Sequence, residues 1–225
     1  MAAPLPEVVV FDVVGTLFDL APVESALAAQ GAPPDTLEAW FERLLHSAAA
    51  LTLAGEFAPF AEIARSTLAT TSARVGVEVD ADAVLASFRE LPLQPGAREA
   101  VGTLAAAGIE VAALTNSGAD QARSLLERSG VLGSFAEVLS VEAVRRYKPD
   151  PSPYRHALER LGVCAERSAF VAAHAWDVVG AANVGMTAIW VSAHERIWPL
   201  PRRAGVEVAD LRAAAERVLA GPPGA

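Results

Sequence analysis

The second half of the chain alternates between short apolar runs and helical segments, and this alternation is the feature that most constrains the fold. The runs that we interpret as strands lie near residues 109–114, 135–140, 169–172 and 187–191, and an earlier run covers Val8–Phe11. Strands that alternate with helices in this way predict a doubly wound parallel sheet. The expected fold class is therefore α/β with a Rossmann-like core.

Residues 20–91 interrupt this alternation directly after the first strand. The segment is rich in alanine, and its larger apolar residues recur at helical spacing, as at Trp40 and Leu44. We therefore predict a helical cap domain at residues 20–91, inserted into a core that is formed by residues 1–19 and 92–225. The two points at which the chain crosses between core and cap are predicted hinges.

Polar side chains lie at or near the ends of these strands. The carboxyl ends of parallel strands meet at one edge of the sheet, where α/β proteins bind ligands. A carboxylate there can act as a nucleophile, and a lysine can supply the opposite charge. Each residue alone is equally well explained as a helix cap, a solvated lysine or a packed histidine, but together they favour an active site. The candidates are Asp12, Thr115, Asn116, Lys148, His174 and Asp177.

Four motifs give the chain a resemblance to a known family. They are FDVVGTLFD, LTNSG, YKPDPSPY and FVAAHAWDVVGA, and their order and spacing extend over nearly the whole chain. The chain resembles the haloacid dehalogenase superfamily and, within it, the (S)-2-haloacid dehalogenases. The resemblance implies an enzyme, a hydrolase that displaces halide from a small 2-haloacid through an aspartyl ester.

The resemblance also implies roles for the polar residues. The family residue that matches Asp12 is the nucleophile, and Thr16 orients it. Lys148 is expected to keep Asp12 and Asp177 ionised, because a nearby opposite charge favours the charged form. Asp177 is expected to activate the water that hydrolyses the ester. This chemistry requires no cofactor.

Other positions are expected to bind the substrate, a small carboxylic acid. Thr115 and Asn116 match the second family motif, where hydroxyls and helix-start amides would bind the carboxylate and the ester oxyanion. Val14 replaces an aromatic residue, His174 replaces an asparagine, and Tyr154 matches a tyrosine that follows the family lysine. His174 either donates a hydrogen bond to halide or water, or has a capping or packing role.

Two positions argue against the magnesium-dependent phosphatases, to which most of the superfamily belongs. Val14 replaces the second aspartate of those enzymes, which is their general acid, and Ala172 replaces their magnesium-binding aspartate. A magnesium ion needs several oxygen ligands. We therefore expect no metal, and the charge opposite Asp12 would come from Lys148.

The predicted cap lacks the residue that binds the halide in the family. In the haloacid dehalogenases an arginine follows the tryptophan that matches Trp40 and stabilises the departing halide. Phe41 stands at that position here. Arg43, two residues further on, is displaced by roughly 200° around the helix and faces away. We therefore expect Phe41 to contact the substrate and the activity on ordinary haloacids to be low.

Composition limits the partners and the location of the protein. The net charge of −9 disfavours nucleic acids and anionic membranes. The single cysteine fits a reducing compartment, and no signal-peptide pattern or membrane-spanning apolar stretch is present. We predict a cytoplasmic protein, and a homodimer is compatible with the sequence. The last five residues, GPPGA, are predicted to lack fixed structure.

Two alternatives to a haloacid dehalogenase stay open at this point. The chain could be a hydrolase of another substrate, such as a phosphate ester, that uses Asp12 with an unusual acid. It could also be a catalytically weak homologue that is kept for binding. Magnesium dependence distinguishes the first alternative, and transfer of oxygen from labelled water into Asp12 distinguishes the second.

Overall fold

A six-stranded parallel sheet forms the centre of the protein. Its strands are Val8–Phe11 (β1), Glu110–Thr115 (β2), Glu137–Ser140 (β3), Ser168–Ala172 (β4), Thr187–Val191 (β5) and Val206–Val208 (β6). Their order in space is β3-β2-β1-β4-β5-β6, which places β1 in the middle of the sheet. The predicted doubly wound α/β fold is confirmed. This computed structural model describes residues 4–193 and 195–221, so most of the GPPGA segment lies outside the described residues.

Helices cover the sheet and form the segment between β1 and β2. Four of them follow β1, namely Ala21–Ala28 (α1), Thr36–Ala54 (α2), Phe60–Val75 (α3) and Ala81–Ser87 (α4). The others are Ala97–Ala106 (α5), Ala119–Arg128 (α6), Pro151–Leu161 (α7), Ala175–Asn183 (α8) and Leu211–Leu219 (α9). Short 3-10 turns lie at Phe88–Glu90, Leu132–Ser134, Val141–Ala143 and Ala165–Arg167. None of the helices in the described ranges is long and apolar enough to cross a membrane.

The two faces of the sheet bury separate apolar clusters, because successive side chains of a strand point to opposite faces. Val8 and Val10 belong to the cluster that includes Tyr154 and Trp190. Val9 and Phe11 belong to the other cluster, which is larger. This second cluster continues without interruption into α2, α3 and the turn at Phe88–Glu90, so the helical segment and one face of the sheet share one apolar interior.

The helical segment leaves and rejoins the core at one place. The backbone N–H of Asp19 donates to the carbonyl oxygen of Pro92 at 2.9 Å, and the N–H of Gln94 donates to the carbonyl oxygen of Leu17 at 2.8 Å. Within the segment, Nε1 of Trp40 donates to the carbonyl oxygen of Ala64 at 3.1 Å and so ties α2 to α3. Trp40 is therefore a structural residue of the helical segment.

The strand β6 was not predicted from the sequence. It has only three residues, Val206–Val208, and pairs with β5 at the edge of the sheet. A run this short and partly exposed has too few residues to show an alternating pattern.

Candidate active site

Three charged side chains meet inside the protein at the carboxyl edge of the sheet. The Nζ atom of Lys148 lies 2.9 Å from Oδ1 of Asp12 and 2.6 Å from Oδ2 of Asp177. It also donates to the carbonyl oxygen of Leu114 at 2.9 Å. The exposed fractions are 3% for Lys148, 4% for Asp12 and 0% for Asp177. Because an isolated buried charge is costly, each of these ions depends on the others.

Separate elements bring these residues together. Asp12 follows β1, and its backbone N–H donates to the carbonyl oxygen of Val171 in β4 at 3.0 Å. Asp177 lies in the first turn of α8. Lys148 lies before α7, and its backbone N–H donates to Oδ1 of Asn116 at 3.0 Å. The central position of β1 therefore allows residues from both halves of the sheet to reach Asp12.

The loop that carries Lys148 is also bound to the helical segment. The backbone N–H of Tyr147 donates to Oγ1 of Thr52 at 3.0 Å, and its hydroxyl donates to the carbonyl oxygen of Ala58 at 2.8 Å. The Tyr147 ring stacks on Phe57 with 5.4 Å between the ring centres. The end of α2 and the residues after it therefore help to hold the lysine loop.

Thr16 orients the second oxygen of Asp12. Its hydroxyl donates to Oδ2 of Asp12 at 2.7 Å and accepts a hydrogen bond from the backbone N–H of Ala173 at 2.9 Å. The turn between the two residues contains Gly15 with a φ of 84°, a backbone conformation that favours glycine. Each oxygen of Asp12 thus has a fixed donor.

The pKa values show how the charges are shared. Burial alone would raise the pKa of Asp12, but Lys148 and His174 hold it well below its usual range. Burial, together with the charge of Asp12, raises the pKa of Asp177 to about 6 despite Lys148. Burial would lower the pKa of Lys148, but the two carboxylates raise it. Lys148 and His174 together thus favour the ionised form of Asp12, whereas Lys148 does not fully offset the burial of Asp177.

His174 approaches Asp12 from the N-cap position of α8. Its Nδ1 atom lies 3.4 Å from Oδ2 of Asp12, and the side chain is 19% exposed. Burial would lower the pKa of His174, but Asp12 raises it. A cation therefore faces each oxygen of the Asp12 carboxylate when His174 is protonated.

A small cavity lies against Asp12. Its volume of about 20 Å³ has room for about one water molecule. The wall includes most of the residues that we predicted to contact substrate. Its lining residues are Asp12, Val14, Phe41, Leu45, Phe60, Thr115, Asn116, Ser117, His174 and Trp176.

Comparison with known proteins identifies the family. The family of haloacid dehalogenase-like hydrolases matches residues 6–185. The (S)-2-haloacid dehalogenase of Xanthobacter autotrophicus is 34% identical over 185 residues, which cover 80% of this chain and 72% of that protein. The chain belongs to the haloacid dehalogenase-like hydrolases. Haloacetate dehalogenase H-2 of Moraxella sp. (strain B) is 30% identical over 191 residues, covering 83% of this hydrolase and 85% of that protein.

A solved structure of the same kind of enzyme supports this assignment. It is the L-2-haloacid dehalogenase of Xanthobacter autotrophicus with chloropropionic acid covalently bound. The two structures superpose with a TM-score of 0.84 at 26% identity, and the match covers 97% of this chain and 100% of the other. The prediction of a hydrolase related to the (S)-2-haloacid dehalogenases is confirmed.

Tyr154, which we predicted to bind substrate, does not lie on the cavity wall in the folded protein. The side chain is fully buried and is not among the residues that line the cavity. Its hydroxyl donates to Oδ1 of Asp177 at 2.5 Å. The hydroxyl fits there because α8 has Gly180 at the contact, where a Cβ atom would lie 2.3 Å from the Tyr154 oxygen. Tyr154 therefore holds the Asp177 side chain in position from the side that faces away from the cavity.

The side of the cavity formed by the helical segment is apolar. Phe41 and Leu45 lie one turn apart on α2, and Phe60 begins α3. Arg43 is not a lining residue, as its angular position on the helix predicted. Among the described residues of this wall, none carries a positive charge that could face a departing halide.

Thr115 and Asn116 line the cavity, but both are already engaged in the hydrolase. The Thr115 hydroxyl lies 2.8 Å from the Ser117 hydroxyl and accepts a hydrogen bond from the Ser117 backbone N–H at 3.0 Å. Oδ1 of Asn116 accepts from Lys148 as described above. These residues therefore fix the strand end that faces the substrate space.

Sequence reasoning missed four residues of the cavity wall, namely Leu45, Phe60, Ser117 and Trp176. A signal existed for two of them. Ser117 directly follows Thr115 and Asn116, and Leu45 lies four residues after Phe41 on the same helix face. Trp176 and Phe60 were not recognisable, because each depends on how its helix packs in the folded protein.

Magnesium does not fit this arrangement of residues. The Lys148 ammonium group already lies between Asp12 and Asp177. Ala172 offers no side-chain oxygen at the end of β4. Within the described ranges, no group of three or more His, Cys, Asp and Glu residues could hold a metal ion.

Proposed function

We propose that this hydrolase displaces halide from a small 2-haloacid and forms an ester on Asp12. The observation that carries the proposal is the carboxylate of Asp12, which Lys148 and Thr16 hold on the wall of a small cavity. The related enzyme with chloropropionic acid bound covalently supports both the substrate class and the covalent step.

The first step is nucleophilic displacement. An oxygen of Asp12 forms a bond to the carbon that carries the halogen, and the carbon–halogen bond breaks with its electron pair on the halide. Lys148 favours the ionised form of Asp12, and Thr16 fixes the direction of the carboxylate. Because the donors are in place before substrate binds, little reorganisation is needed during attack.

The second step is hydrolysis of the ester. Water adds to Cγ of Asp12, and the bond between Cγ and the substrate oxygen breaks. The products are a 2-hydroxy acid and regenerated Asp12. The oxygen transferred to the product thus comes from Asp12, and the oxygen of water stays in the enzyme. In this scheme the role of Asp177 is to hold the Lys148 ammonium group next to Asp12.

The substrate carboxylate would bind at the start of α6. Asn116 and Ser117 line the cavity just before that helix, and the free N–H groups of a helix start favour an anion. A small acid suits this site, because the cavity is small and its remaining wall is apolar.

Residues 20–91 would act as the cap over this site. A 2-haloacid is larger than the water-sized cavity, so Phe41 and its neighbours must move for substrate to enter. The paired crossings at Asp19 and Pro92 are the proposed hinges. The proposed core is then residues 1–19 and 92–225.

We also propose that the protein works in the cytoplasm and that it forms a homodimer. The negative charge and the single cysteine support the first statement. Leu53, which is 89% exposed on α2, offers an apolar contact for the second. Light scattering of the purified protein tests the dimer, and localisation of a tagged chain tests the compartment.

Halide release tests the function directly. The purified protein is incubated with (S)-2-chloropropionate in ¹⁸O-labelled water, with and without a chelator. We expect halide release that is unaffected by the chelator, with label in Asp12 after a single turnover. Asp12→Asn is the matched control and should release no halide.

The two alternatives give different results in this experiment. A phosphate-ester hydrolase would release phosphate from ester substrates but no halide. A catalytically weak binding homologue would give neither halide nor labelled Asp12 while staying folded. The absence of a cation on the cap side favours slow rather than fast halide release, so long incubations are needed.

A further inference from the structure

The residue expected to activate water is poorly placed to do so. Both oxygens of Asp177 already accept hydrogen bonds, one from Lys148 and the other from Tyr154. Its side chain is fully buried, and it is not among the residues that line the cavity. Water in the cavity therefore meets other groups first.

His174 is better placed than Asp177. It lines the cavity, and Nδ1 lies 3.4 Å from Oδ2 of Asp12, the carboxylate that becomes the ester. Nδ1 is buried and makes no hydrogen bond to the protein. A buried polar nitrogen without a hydrogen bond destabilises the fold, and such atoms often have a catalytic role or bind a water molecule.

The surroundings hold the imidazole in this position. Its ring stacks on Trp176 with 5.4 Å between the centres, and the Phe41 ring centre lies at 6.2 Å. A Cβ atom at Gly15 would lie 2.7 Å from Cε1 of His174, so the turn after β1 leaves room for this ring only because it has glycine. The histidine is thus part of the wall and not a loose surface side chain.

We propose that His174 is the general base that activates water for hydrolysis of the Asp12 ester. The proposal rests on the proposed function and names the residue responsible for its second step. Nδ1 takes a proton from the water as the water oxygen bonds to Cγ of Asp12. The protonated imidazole then gives that proton to the leaving alkoxide of the 2-hydroxy acid.

Formation of the ester prepares His174 for this role. Before reaction, burial would lower the pKa of His174, but Asp12 raises it and so favours the protonated imidazole. The ester linkage carries no charge, so its formation removes the charge of Asp12, lowers the pKa of His174 and favours release of its proton to solvent. At the end of the cycle the carboxylic acid of Asp12 returns a proton to His174. In total the haloacid and water yield hydroxy acid, halide and one proton.

A role for His174 in binding the halide fits the geometry less well. In a direct displacement the halide departs on the side of the carbon opposite the attacking oxygen. His174 lies beside the attacking carboxylate itself, with Nδ1 3.4 Å from Oδ2 of Asp12. Its position therefore favours a role in hydrolysis of the Asp12 ester over a role in binding the halide.

The charged groups around His174 determine the pH at which it acts. Asp12 lies after β1, Asp177 lies on α8, and Glu195 accepts a hydrogen bond from the backbone N–H of Ala175 at 3.1 Å. All three carboxylates raise the pKa of His174. Lys148 lies between the first two. Ester formation removes the charge of Asp12 from this set, while Asp177, Glu195 and the carboxylate of the bound substrate stay as anions.

The test separates ester formation from ester hydrolysis. Wild type, His174→Asn and His174→Gln are mixed rapidly with (S)-2-chloropropionate, quenched, and analysed for halide and for covalent ester by mass spectrometry. We expect both variants to release a single equivalent of halide and to accumulate the ester. Ester hydrolysis should fall by about 10²-fold or more. His46→Asn, an exposed histidine on α2, is the matched control and should behave as wild type.

The pH dependence gives a second measurement. In wild type the rate of ester hydrolysis should rise with pH as His174 loses its proton, and this rise should be absent in His174→Asn. A rise that persists in His174→Asn and disappears in Asp177→Asn would make Asp177 the base and overturn the proposal. Melting curves establish that each variant is folded.

The outcomes distinguish failure of this proposal from failure of the proposed function. If wild type and His174→Asn both turn over at the same rate without ester, the base is another residue, and the proposed function stands. If folded wild type gives neither halide nor ester, the proposed function fails and the role of His174 fails with it.

Discussion

The sheet side of the cavity contains Asp12, Thr115 and Asn116, whereas the helical segment contributes Phe41, Leu45 and Phe60. The polar wall rests on rigid strand ends and is tied together by buried hydrogen bonds to Lys148. The side chains of the apolar wall are not joined by such hydrogen bonds, and this wall can only limit the size of the cavity and exclude water. The charge of the site is therefore concentrated on the side where Asp12 lies. We therefore expect the other side to stabilise a leaving group only weakly.

Asp12→Asn should have the largest effect, because the polar wall depends on this carboxylate. The amide keeps the shape of the side chain but is not a nucleophile, so turnover should fall below about 1% of wild type. Halide release measures the loss, and circular dichroism verifies the fold. Asp35→Asn, which changes an exposed aspartate before α2 outside the cavity, should keep its turnover. Activity of Asp12→Asn above that level would remove Asp12 from the chemistry.

Lys148→Met should have the next largest effect. It leaves two buried carboxylates without a cation, so the free energy of unfolding should fall by about 3–5 kcal/mol. Turnover should fall by about 10²- to 10³-fold. Like charges raise the pKa of one carboxylate, so the remaining activity should move to higher pH. Denaturant unfolding and pH–rate profiles measure both effects.

The control for this variant is Arg155→Met, an exposed cation on α7. It should change neither the free energy of unfolding nor the pH profile. An unchanged pH profile in Lys148→Met would mean that Lys148 does not set the charge state of Asp12.

Phe41→Arg tests the apolar wall by adding the missing cation. We expect halide displacement from 2-chloropropionate to become about 10- to 100-fold faster, less than a fully preorganised donor would give. Phe41→Leu, which stays apolar, should show no gain. Brisk dehalogenation by wild type would show that another residue stabilises the halide.

The position of His174 next to Phe41 allows this test to be refined. A protonated imidazole would repel the new arginine, so Phe41→Arg combined with His174→Asn should release its first equivalent of halide faster than Phe41→Arg alone. A double-mutant cycle on the displacement step measures the coupling. Melting temperatures are needed as well, because a buried arginine without a partner destabilises the protein.

Tyr154→Phe should have the smallest effect, since it removes support behind Asp177 without touching the cavity. Loss of one buried hydrogen bond should cost about 1–3 kcal/mol in unfolding free energy. The pKa of Asp177 is raised from 3.8 to about 6 in the folded protein, so this group stabilises least above about pH 6. Its contribution therefore falls as pH rises from about 4 to about 6.

The hydroxyl of Tyr154 opposes this rise in pKa, because it donates to the ionised form of Asp177. In Tyr154→Phe the fall in stability should therefore extend to higher pH. Denaturant unfolding at a series of pH values provides the measurement. The same pH dependence in wild type and Tyr154→Phe would show that the hydroxyl does not influence Asp177.

The sequence was most informative where a local pattern reports directly on structure. The run Val8–Phe11 and the later strand–helix alternation predicted the parallel sheet, and the helical spacing predicted the segment between β1 and β2. Asp12 and Asn116 were recognisable because polar residues at strand ends in a parallel sheet converge on one edge. The family motifs added the likeness to the haloacid dehalogenases, which the comparisons confirm.

The positions of Tyr154 and His174 relative to the cavity depend on the tertiary structure. Tyr154 matches a family motif, but packing against Gly180 turns its hydroxyl towards Asp177 and away from the cavity. His174 comes within 3.4 Å of Asp12 because Gly15 leaves room for its ring.

Periodicity in a sequence reports which face of an element is buried, since burial follows from the 3.6- or 2-residue repeat. It does not report which distant side chain a residue meets. Those contacts depend on how whole helices and strands pack against one another. This packing brings Lys148 between Asp12 and Asp177 and determines which residues line the cavity.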